Sequence, residues 1–312
     1  MNIAITGANG FVGSHLFKLI NDMGHTVISI SRSNKNILDG NSYTFDDFFS
    51  LKIKQNIDCF LHLASPNYEY SEDDSLEKGI TVLTSKILSV LANYNCKKFI
   101  YTSTVAVYGN NKKYISEKSD INPDSIYGVS KYAGELFLKQ LLGNTKVKTY
   151  IFRVFNTYGP GENLNNLKKG MVSIFCSYVW QNKPIVVKGS LNRFRNFTYI
   201  DDCAEILAKS LNNSELKNFE IFNLTSEKKI TVKELVKKII KIKNLGKYKI
   251  KVKKGTLGDS FGFDAKNSHL KKRFSKIKFT NIESGLKQYF KWIDKIPRKV
   301  NLKKYHPFSN KT

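Results

Sequence analysis

After Met1 the chain begins Asn2-Ile-Ala-Ile-Thr6-Gly7-Ala-Asn9-Gly10-Phe11-Val12-Gly13, followed by Ser-His-Leu-Phe. A short apolar run, a glycine-rich turn and then apolar residues at helical spacing predict a strand, a tight turn and a helix. Glycine lets the backbone turn sharply and approach a pyrophosphate, whose charge then lies at the helix N-terminus. The spacing is G-x-x-G-x-x-G, and its position after the first strand predicts a dinucleotide-binding site.

The end of the second predicted strand bears on which dinucleotide binds. Residues 26–30 form that strand, and Ser31-Arg32-Ser33 follows it with no acidic residue. An acid there would bind the ribose 2′-hydroxyl of NAD, whereas an arginine accommodates the 2′-phosphate of NADP. The sequence therefore favours NADP(H), with NAD(H) as the alternative if Arg32 is an ordinary surface residue. Asp46, in Phe45-Asp-Asp47, is placed near the adenine.

A second motif, Ser125-Ile-Tyr127-Gly-Val-Ser-Lys131, carries candidate chemistry. Asp124 or Ser125 as N-cap predicts that a helix begins here. Tyr127 and Lys131 are then at i and i+4, on the same face of that helix. A neighbouring ammonium favours a phenolate, so we expect Lys131 to lower the pKa of Tyr127 toward the range of a general acid or base.

The formal net charge of +25 raises the question of nucleic-acid binding. Only six of the 51 basic residues are arginine, and the lysines are spread over the whole length. Arginine is the residue that base-edge and bidentate phosphate recognition favours. We therefore expect a solvated, lysine-rich surface and no nucleic-acid partner, while an anionic substrate would benefit from the positive field.

Cysteine spacing and hydropathy bear on the compartment. The four cysteines lie far apart with no C-x-x-C pair, which predicts buried free thiols, no metal site and a reducing compartment. Met1 leads directly into a strand, leaving no room for a signal peptide. The longest apolar stretch, 171–180, is too short to span a bilayer. These features predict a cytoplasmic protein without a membrane span.

Predicted strands alternate with helices along the first half of the chain. Apolar runs predict a third, fourth and fifth strand at 57–64, 98–104 and 146–153, with a long helix over 76–94. His62 lies inside the first of these runs and is interpreted as a core residue. This alternation predicts an α/β fold with a doubly wound parallel sheet.

After residue 160 the pattern changes. Here the sequence predicts a helix over 165–181, short strands at 184–187 and 219–224, a helix capped by Thr231 and a last helix over 282–293. Residues 297–312 are expected to form a basic, poorly ordered tail.

Six motifs, taken together, resemble the extended short-chain dehydrogenase/reductases of the NAD(P)-dependent nucleotide-sugar epimerase/dehydratase family. They occur in the family's order and cover nearly the whole chain. The matching segments are Thr6-Gly-Ala-Asn-Gly-Phe-Val-Gly-Ser-His-Leu16, Phe60-Leu-His-Leu-Ala64, Tyr101-Thr-Ser-Thr-Val-Ala-Val-Tyr-Gly109, Tyr127-Gly-Val-Ser-Lys131, Arg153-Val-Phe-Asn-Thr-Tyr-Gly-Pro-Gly161 and Arg195-Asn-Phe-Thr-Tyr-Ile-Asp-Asp202.

The resemblance implies a Rossmann-type dinucleotide-binding domain over residues 1–160, with later segments crossing back to its sheet. A smaller C-terminal α/β substrate-binding domain would lie mainly within 161–296. The resemblance also implies a homodimer formed through the helix that carries Tyr127 and the long helix before it, and a role in making sugars for surface polysaccharides.

The resemblance also assigns roles to single residues. Tyr127 is the catalytic acid/base, Lys131 binds the nicotinamide ribose and lowers the tyrosine pKa, and Thr104 orients the substrate oxygen. Asn156 and Arg195 match positions that contact the phosphates of a nucleotide-diphosphate sugar. The candidate dinucleotide-binding residues are Gly7, Asn9, Gly10, Phe11, Val12, Gly13, Arg32, Asp46, Leu63, Ala64, Tyr127 and Lys131.

The sequence departs from the family pattern at two places. The second phosphate-binding arginine, expected just before Gly258-Asp259, is missing or is replaced by Lys253 or Lys254. Val105-Ala106 stands after Thr104, where family dehydratases have an Asp-Glu pair, so a 4,6-dehydratase is not expected.

Three functions remain. The favoured one is an NADPH-dependent reductase of a nucleotide-linked 4-keto, 6-deoxy sugar with Tyr127 as acid, because Ser31-Arg32 points to NADP. An NAD-dependent nucleotide-sugar 4-epimerase would use the same three residues. A catalytically silent dinucleotide-binding sensor or scaffold is the third, and the intact set of Thr104, Tyr127 and Lys131 disfavours it.

Overall fold

The structure is a computed structural model that describes residues 1–32, 41–65, 75–110, 114–167, 170–255, 261–262 and 264–297. Its strands, in chain order, are β1 (Asn2–Thr6), β2 (Thr26–Ser31), β3 (Asn41–Thr44), β4 (Cys59–His62), β5 (Lys98–Thr104), β6 (Tyr114–Ile115), β7 (Lys148–Val154), β8 (Thr157–Tyr158), β9 (Ile185–Lys188), β10 (Phe194–Asn196), β11 (Thr198–Tyr199), β12 (Phe219–Leu224), β13 (Lys229–Thr231), β14 (Ile250–Lys253) and β15 (Asp264–Ala265). The helices are α1 (Phe11–Asp22), α2 (Phe45–Phe49), α3 (Ser75–Leu91), α4 (Ile126–Leu142), α5 (Met171–Trp180), α6 (Ile200–Lys209), α7 (Val232–Ile242), α8 (Ser268–Arg273) and α9 (Ile282–Ile293).

Parallel strands form the central sheet. In the described part of the chain it has seven strands in the order β12-β7-β5-β4-β1-β2-β3, and every neighbouring pair is parallel. The chain moves outward from β1 to β3 and then returns past β1 to β4, so the strand order reverses between β1 and β4. Ligands of such sheets bind outside the carboxyl ends of the strands at this reversal. The predicted α/β, doubly wound parallel fold is confirmed.

Apolar cores on both faces of the sheet hold it between helices. One core packs α1 and α6 against the sheet, with Leu16, Ile20 and Leu207 among its buried residues. The opposite core packs α2, α3 and α4, and includes Phe48 and Leu138. A parallel sheet with helices on both faces needs apolar side chains on both sides, which explains the nearly continuous apolar runs of β1 and β4.

A separate apolar cluster forms after residue 160. Helices α5, α7 and α9 pack around strand β9, and their buried residues include Phe175, Leu235 and Leu286. The chain also returns to the first part here, because α6 packs on α1 and β12 pairs with β7 along its full length.

The predicted secondary structure was wrong in two respects: several short strands were missed, and one helix was predicted to begin too early. Strand β3 was missed, because Asn41-Ser-Tyr-Thr44 is a short, polar edge strand without apolar alternation. Strand β6 was missed as well, so the strands predicted as third, fourth and fifth are the fourth, fifth and seventh in chain order. Helix α5 begins at Met171 and not near residue 165, because Gly170 has a φ of 76°, which breaks the helical backbone just before it. Of the predicted tail, residues 298–312 lie outside the described residues.

His62 is a buried core residue, as predicted. Its Nδ1 lies 2.7 Å from Thr6 Oγ1 and its Nε2 lies 3.2 Å from Thr84 Oγ1. Thr84 Oγ1 donates to the Ile80 carbonyl, so its oxygen accepts from His62 Nε2–H. Burial, and secondarily the charge of Lys131, lowers the pKa of His62 to about 3.

Cys59, Cys96, Cys176 and Cys203 are buried free thiols, as predicted. Burial raises the pKa of Cys96 and Cys203 to about 12, so both stay thiols at neutral pH. None of the helices in the described ranges is long and apolar enough to cross a membrane.

Removing the N-cap of α7 should destabilise the protein measurably. Thr231 Oγ1 accepts from the Glu234 amide at 3.1 Å, and Glu234 Oε2 accepts from the Thr231 amide at 2.8 Å. We expect Thr231→Ala to lower the free energy of unfolding by about 1 kcal/mol in chemical denaturation. Lys237→Ala, on the exposed face of the same helix, is the control and should change it by less than about 0.5 kcal/mol. Equal losses for the two variants would contradict the role of the cap.

Candidate active site

The glycine-rich turn after β1 has the geometry of a phosphate cradle. Gly7 has a φ of 77°, and its carbonyl accepts from the Gly10 amide at 2.9 Å. A Cβ at Gly13 would overlap the Gly7 carbonyl oxygen, so this position has room only for glycine. Helix α1 begins at Phe11 without a side-chain cap, so its first amides can donate to an anion. The turn therefore fits the pyrophosphate of a dinucleotide.

The end of β4 lies against this turn, as the predicted dinucleotide site requires. A Cβ on Gly7 would be 3.0 Å from the Ala64 nitrogen and 3.2 Å from the Leu63 carbonyl carbon. The Ala64 amide donates to Thr6 Oγ1 at 3.2 Å, which fixes the two segments together. Asn9 is half-buried within the turn itself. The structure thus brings the β1 and β4 residues of the predicted set together.

Arg32 and Asp46 lie farther along the same edge of the sheet. Arg32 is exposed directly after β2, and Asp46 is exposed in the first turn of α2, directly after β3. Ser31 and Thr44 are register partners at the ends of these two strands. Both predicted residues therefore stand beside the carboxyl ends of neighbouring strands, on the side of β1 away from the catalytic helix.

Helix α4 presents the predicted catalytic residues. Ser125 is its N-cap and accepts from the Gly128 amide at 3.1 Å, in agreement with the predicted start. A side-chain hydrogen bond joins Tyr127, in the first turn, to Thr104, the last residue of β5. Thr104 Oγ1 also accepts from the Ala106 amide at 3.2 Å, which orients the hydroxyl.

Lys131 lies one helical turn after Tyr127 and is 2% exposed. Its Nζ donates to the Thr102 carbonyl at 2.9 Å and lies 4.9 Å from the centre of the Tyr101 ring. Burial lowers the pKa of Lys131 to about 8, against the opposing effect of the Glu135 carboxylate. The ammonium is therefore close to its titration point at physiological pH.

The expected pKa direction for Tyr127 was wrong. Burial raises the pKa of Tyr127 above its ordinary value, and the hydrogen bond with Thr104 opposes that rise. Burial removes water from the phenolate, and this cost exceeds the benefit from the Thr104 hydrogen bond. The structure thus holds Tyr127 as a phenol that can donate a proton.

A cavity of about 440 Å³ opens beside this set. Tyr127, Thr104 and Ser103 form one side of it, and Phe11 and Val12 reach it from the glycine-rich turn. The cavity therefore connects the dinucleotide cradle with the proposed proton donor.

The two residues predicted to bind the substrate, Asn156 and Arg195, differ in their position relative to the cavity. Asn156 lines the cavity, and its Nδ2 donates to the Asn196 carbonyl at 3.0 Å. Arg195 is not among the described lining residues. Its Nη1 donates to the carbonyls of Phe194 at 2.8 Å and Phe261 at 3.3 Å. Burial, with the nearby charge of Arg193, lowers the pKa of Arg195 to about 10. Residues 256–260, where the second phosphate clamp was sought, lie outside the described residues.

Sequence reasoning missed Glu162, whose carboxyl lines the cavity. Its Oε2 lies 3.4 Å from the Gly159 amide, and a side-chain hydrogen bond joins it to Tyr289 of α9. Burial raises the pKa of Glu162 to about 8. The Gly-Pro-Gly-Glu loop that carries it has no periodic pattern, so only the fold reveals this position.

His15 fixes that loop to the first helix. His15 Nδ1 lies 3.0 Å from Asp201 Oδ1, and its Nε2 lies 2.9 Å from the Pro160 carbonyl oxygen. The helix that begins at the glycine-rich turn is thereby bound to two segments of the second half of the chain.

Replacing Gly13 should abolish dinucleotide binding. We expect Gly13→Ala to weaken NAD and NADP binding by more than tenfold, because its Cβ would displace the Gly7 carbonyl from the cradle. Gly255→Ala is the matched control, since the nearest atom to its added Cβ is 3.5 Å away. Calorimetry on both variants measures the effect. Unchanged binding by Gly13→Ala would rule out the proposed cradle.

Comparison with known proteins identifies the family. Residues 3–225 match the model of the NAD dependent epimerase/dehydratase family. The chain is 31% identical over 247 residues to a Methanocaldococcus jannaschii protein named "Putative UDP-glucose 4-epimerase", covering 75% of this chain and 79% of that one. It is 26% identical over 258 residues to the Escherichia coli dTDP-4-dehydro-6-deoxyglucose reductase, covering 76% and 80% of the two chains.

Among solved structures, the fold is similar to that of the UDP-glucuronic acid 4-epimerase of Bacillus cereus in complex with UDP-glucuronic acid and NAD. The TM-score is 0.82 at 23% identity, covering 94% of this chain and 99% of that one. This similarity confirms the Rossmann-type fold. The family match shows an enzyme and not a silent sensor. The chain belongs to the NAD dependent epimerase/dehydratase family and is an NAD(P)-dependent enzyme of nucleotide sugars, an epimerase or an oxidoreductase.

Proposed function

We propose that the protein is an NAD-dependent 4-epimerase of a nucleotide-diphosphate sugar. The observation that carries this is the composition of the cavity next to Tyr127 and Thr104, where Val105, Phe155 and Phe197 supply apolar walls. Inverting C4 requires that a hydride return to the opposite face of the same carbon, so the sugar ring must turn inside the site. These three side chains offer no directional hydrogen bond that would hold one face of the ring, although Asn156 and Glu162 of the same lining are polar. The relative named as a 4-epimerase supports the same assignment.

The proposed chemistry needs one proton-handling group on the C4 oxygen. The bound dinucleotide supplies the hydride acceptor and donor. Tyr127, once deprotonated to the phenolate, would take the proton from the C4 hydroxyl as the carbon is oxidised, and the resulting phenol would return it to the same oxygen as the carbon is reduced. Thr104 would hydrogen-bond to Tyr127 and to the C4 oxygen, and the Lys131 ammonium would favour the phenolate form of Tyr127 that takes the proton.

The remainder of the substrate would be held by the second half of the chain. We place Asn156 against the sugar or its phosphates, because it lines the cavity. Arg195 would turn its guanidinium from the Phe194 and Phe261 carbonyls to a diphosphate, which is a stronger, charge-assisted partner. The residues of 161–296 outside α6 and β12 would then act as the substrate-binding domain.

A second candidate function is the NADPH-dependent reduction of a nucleotide-linked 4-keto, 6-deoxy sugar. The observation that favours it is the exposed Arg32 after β2, without an acid in Ser31-Arg32. It would use the same residues, with Tyr127 donating its proton to the ketone oxygen as that carbon accepts hydride. The high pKa of the buried Tyr127 suits this donation.

We also propose a cytoplasmic homodimer. On α4, Ile126, Val129 and Leu136 form an exposed apolar stripe at helical spacing, each about half-exposed. Helix α3 packs beside α4 and exposes Val82. Pairing these two helices with those of a second copy would bury both surfaces. The reduced cysteines fit a reducing compartment.

Loss of the Tyr127 hydroxyl should abolish turnover and leave dinucleotide binding intact. We expect Tyr127→Phe to reduce kcat by about 10²–10⁴-fold, because it removes the proton-handling group. Tyr114→Phe, at an exposed tyrosine, is the matched control and should retain activity.

The readout also separates the two candidate reactions. Epimerisation converts one UDP-sugar into its C4 epimer, seen by chromatography, with no net change in nicotinamide absorbance. Reduction consumes NADPH in proportion to a 4-keto sugar. A Tyr127→Phe enzyme with wild-type turnover would overturn the assignment of this residue for both reactions.

The dimer proposal predicts opposite results for two leucines of one helix. Leu136→Glu places a charge in the stripe and should convert the dimer to a monomer in light scattering. Leu141→Glu adds the same charge at an equally exposed position outside the stripe and should remain dimeric. A monomeric wild-type protein would rule out this interface.

A further inference from the structure

The buried face of α4 carries a third polar residue beyond the two that sequence reasoning identified. Tyr127, Lys131 and Glu135 are spaced four residues apart, so they form one line along the helix. Lys131 is 2% exposed and Glu135 is 3% exposed, and both lie against the sheet. A buried carboxylate of this kind is expensive unless its charge is compensated.

Two neighbouring strands hold Glu135 in place. Arg153 of β7 binds its carboxylate with two nitrogens, Nη2 at 2.6 Å from Oε2 and Nε at 3.0 Å from Oε1. Ser103 of β5 donates its hydroxyl to Oε1. Since the contact is bidentate and both side chains are buried, Glu135 has one defined position relative to α4 and the sheet.

The Arg153 side chain is anchored in turn. Its Nη1 donates to the Tyr108 hydroxyl at 2.8 Å, and Tyr108 donates to Asn223 Oδ1 of β12 at 2.7 Å. The backbone amide of Asn223 donates to Glu117 Oε1 at 2.9 Å. The guanidinium therefore cannot leave Glu135 without breaking a network that extends across three strands of the sheet.

The groups around Lys131 come from several elements. Strand β5 supplies the Thr102 carbonyl and the Tyr101 ring, and β4 supplies the neutral His62. Strand β7 supplies the Arg153 guanidinium, bound to Glu135. Helix α4 itself supplies the Tyr127 phenol and Glu135. The carboxylate of Glu135 is the charge that raises the pKa of Lys131, whereas burial lowers it.

We propose that Glu135 is a positioning residue that, clamped by Arg153 and Ser103, keeps Lys131 as a charged ammonium on the Thr102 carbonyl beside Tyr127. The inference rests on the proposed function, in which Lys131 binds the dinucleotide and supports Tyr127. With its pKa at about 8, Lys131 is mostly protonated at neutral pH, and a further fall of one unit would leave it about half protonated. Removing the negative charge of Glu135 lowers that pKa further, so Lys131 loses its proton at a lower pH.

Glu135→Gln tests the proposal, because it keeps the shape of the side chain and removes its charge. The titration of Lys131 can be followed by NMR of lysines labelled at Cε, with the resonance assigned by its loss in Lys131→Met. We expect the midpoint of Lys131 to fall by about one pH unit. The pH at which NADH affinity falls on the alkaline side of its pH profile (the alkaline limb) should move down by the same amount. A merely structural role would reduce binding at all pH values without moving the limb.

Two further variants keep the test decisive. Glu135→Gln leaves Arg153 buried without an anionic partner, which can prevent folding. The double variant Glu135→Gln/Arg153→Gln leaves no unpaired charge; because it also removes the positive charge of Arg153, its Lys131 midpoint should lie between those of Glu135→Gln and the wild type. Glu117→Gln, at the far end of the network, makes the same change of charge and should leave the midpoint unchanged.

An unchanged Lys131 midpoint in every folded variant that carries Glu135→Gln would overturn the proposal. The NMR readout does not depend on which sugar is converted. A shifted midpoint together with an active Tyr127→Phe enzyme would therefore sink the proposed function and leave the role of Glu135 standing.

Discussion

Burial of charge beneath helix α4 is the constraint on which the site depends. Burying an ion costs several kcal/mol unless a partner compensates it, so Lys131 and Glu135 require the Thr102 carbonyl and the Arg153 guanidinium. Those partners belong to β5 and β7, and together they fix α4 against both strands. The same placement brings Tyr127 to Thr104 at the end of β5. The contact that stabilises the centre of the fold therefore also assembles the proposed catalytic pair.

The parallel sheet turns this local arrangement into a site. All of its strands end at one edge, so the glycine-rich turn after β1, the Leu63-Ala64 segment after β4 and Thr104 after β5 converge there. His15 then joins α1 to Asp201 and to the Pro160 carbonyl. Through these bonds the helix that would bind the pyrophosphate also positions the loop that carries Glu162 into the cavity. Dinucleotide and substrate regions are thus coupled by hydrogen bonds and not only by chain connectivity.

Local signals in the sequence predicted much of this, and three-dimensional burial explains what they missed. The spacing of apolar residues predicts the bounds of β1 and α9, and capping chemistry predicts the helix starts at Ser125 and Thr231. Both signals lie within a few consecutive residues of the sequence. The environments of Glu135 and Glu162 depend on partners in other helices and strands, which no short stretch of sequence contains. The expected direction of the Tyr127 pKa shift was wrong for a related reason. Helical spacing identifies the neighbouring ammonium, but it does not show how deeply the phenol is buried.

Chemistry and substrate choice arise from different parts of the chain. The hydroxyl of Thr104, the phenol of Tyr127 and the ammonium of Lys131 come from β5 and α4. In the proposed mechanism they would serve epimerisation and reduction equally well, because both reactions move protons on a single oxygen. The two reactions differ in the history of the keto sugar. In epimerisation it is formed in the site and turns there, whereas in reduction it enters the site already oxidised. That depends on the cavity walls beyond β7, where Phe155 and Phe197 face the space beside Tyr127. A change of reaction within this fold therefore requires changes in the walls and at the ribose end of the dinucleotide, while the buried charges of α4 can stay as they are.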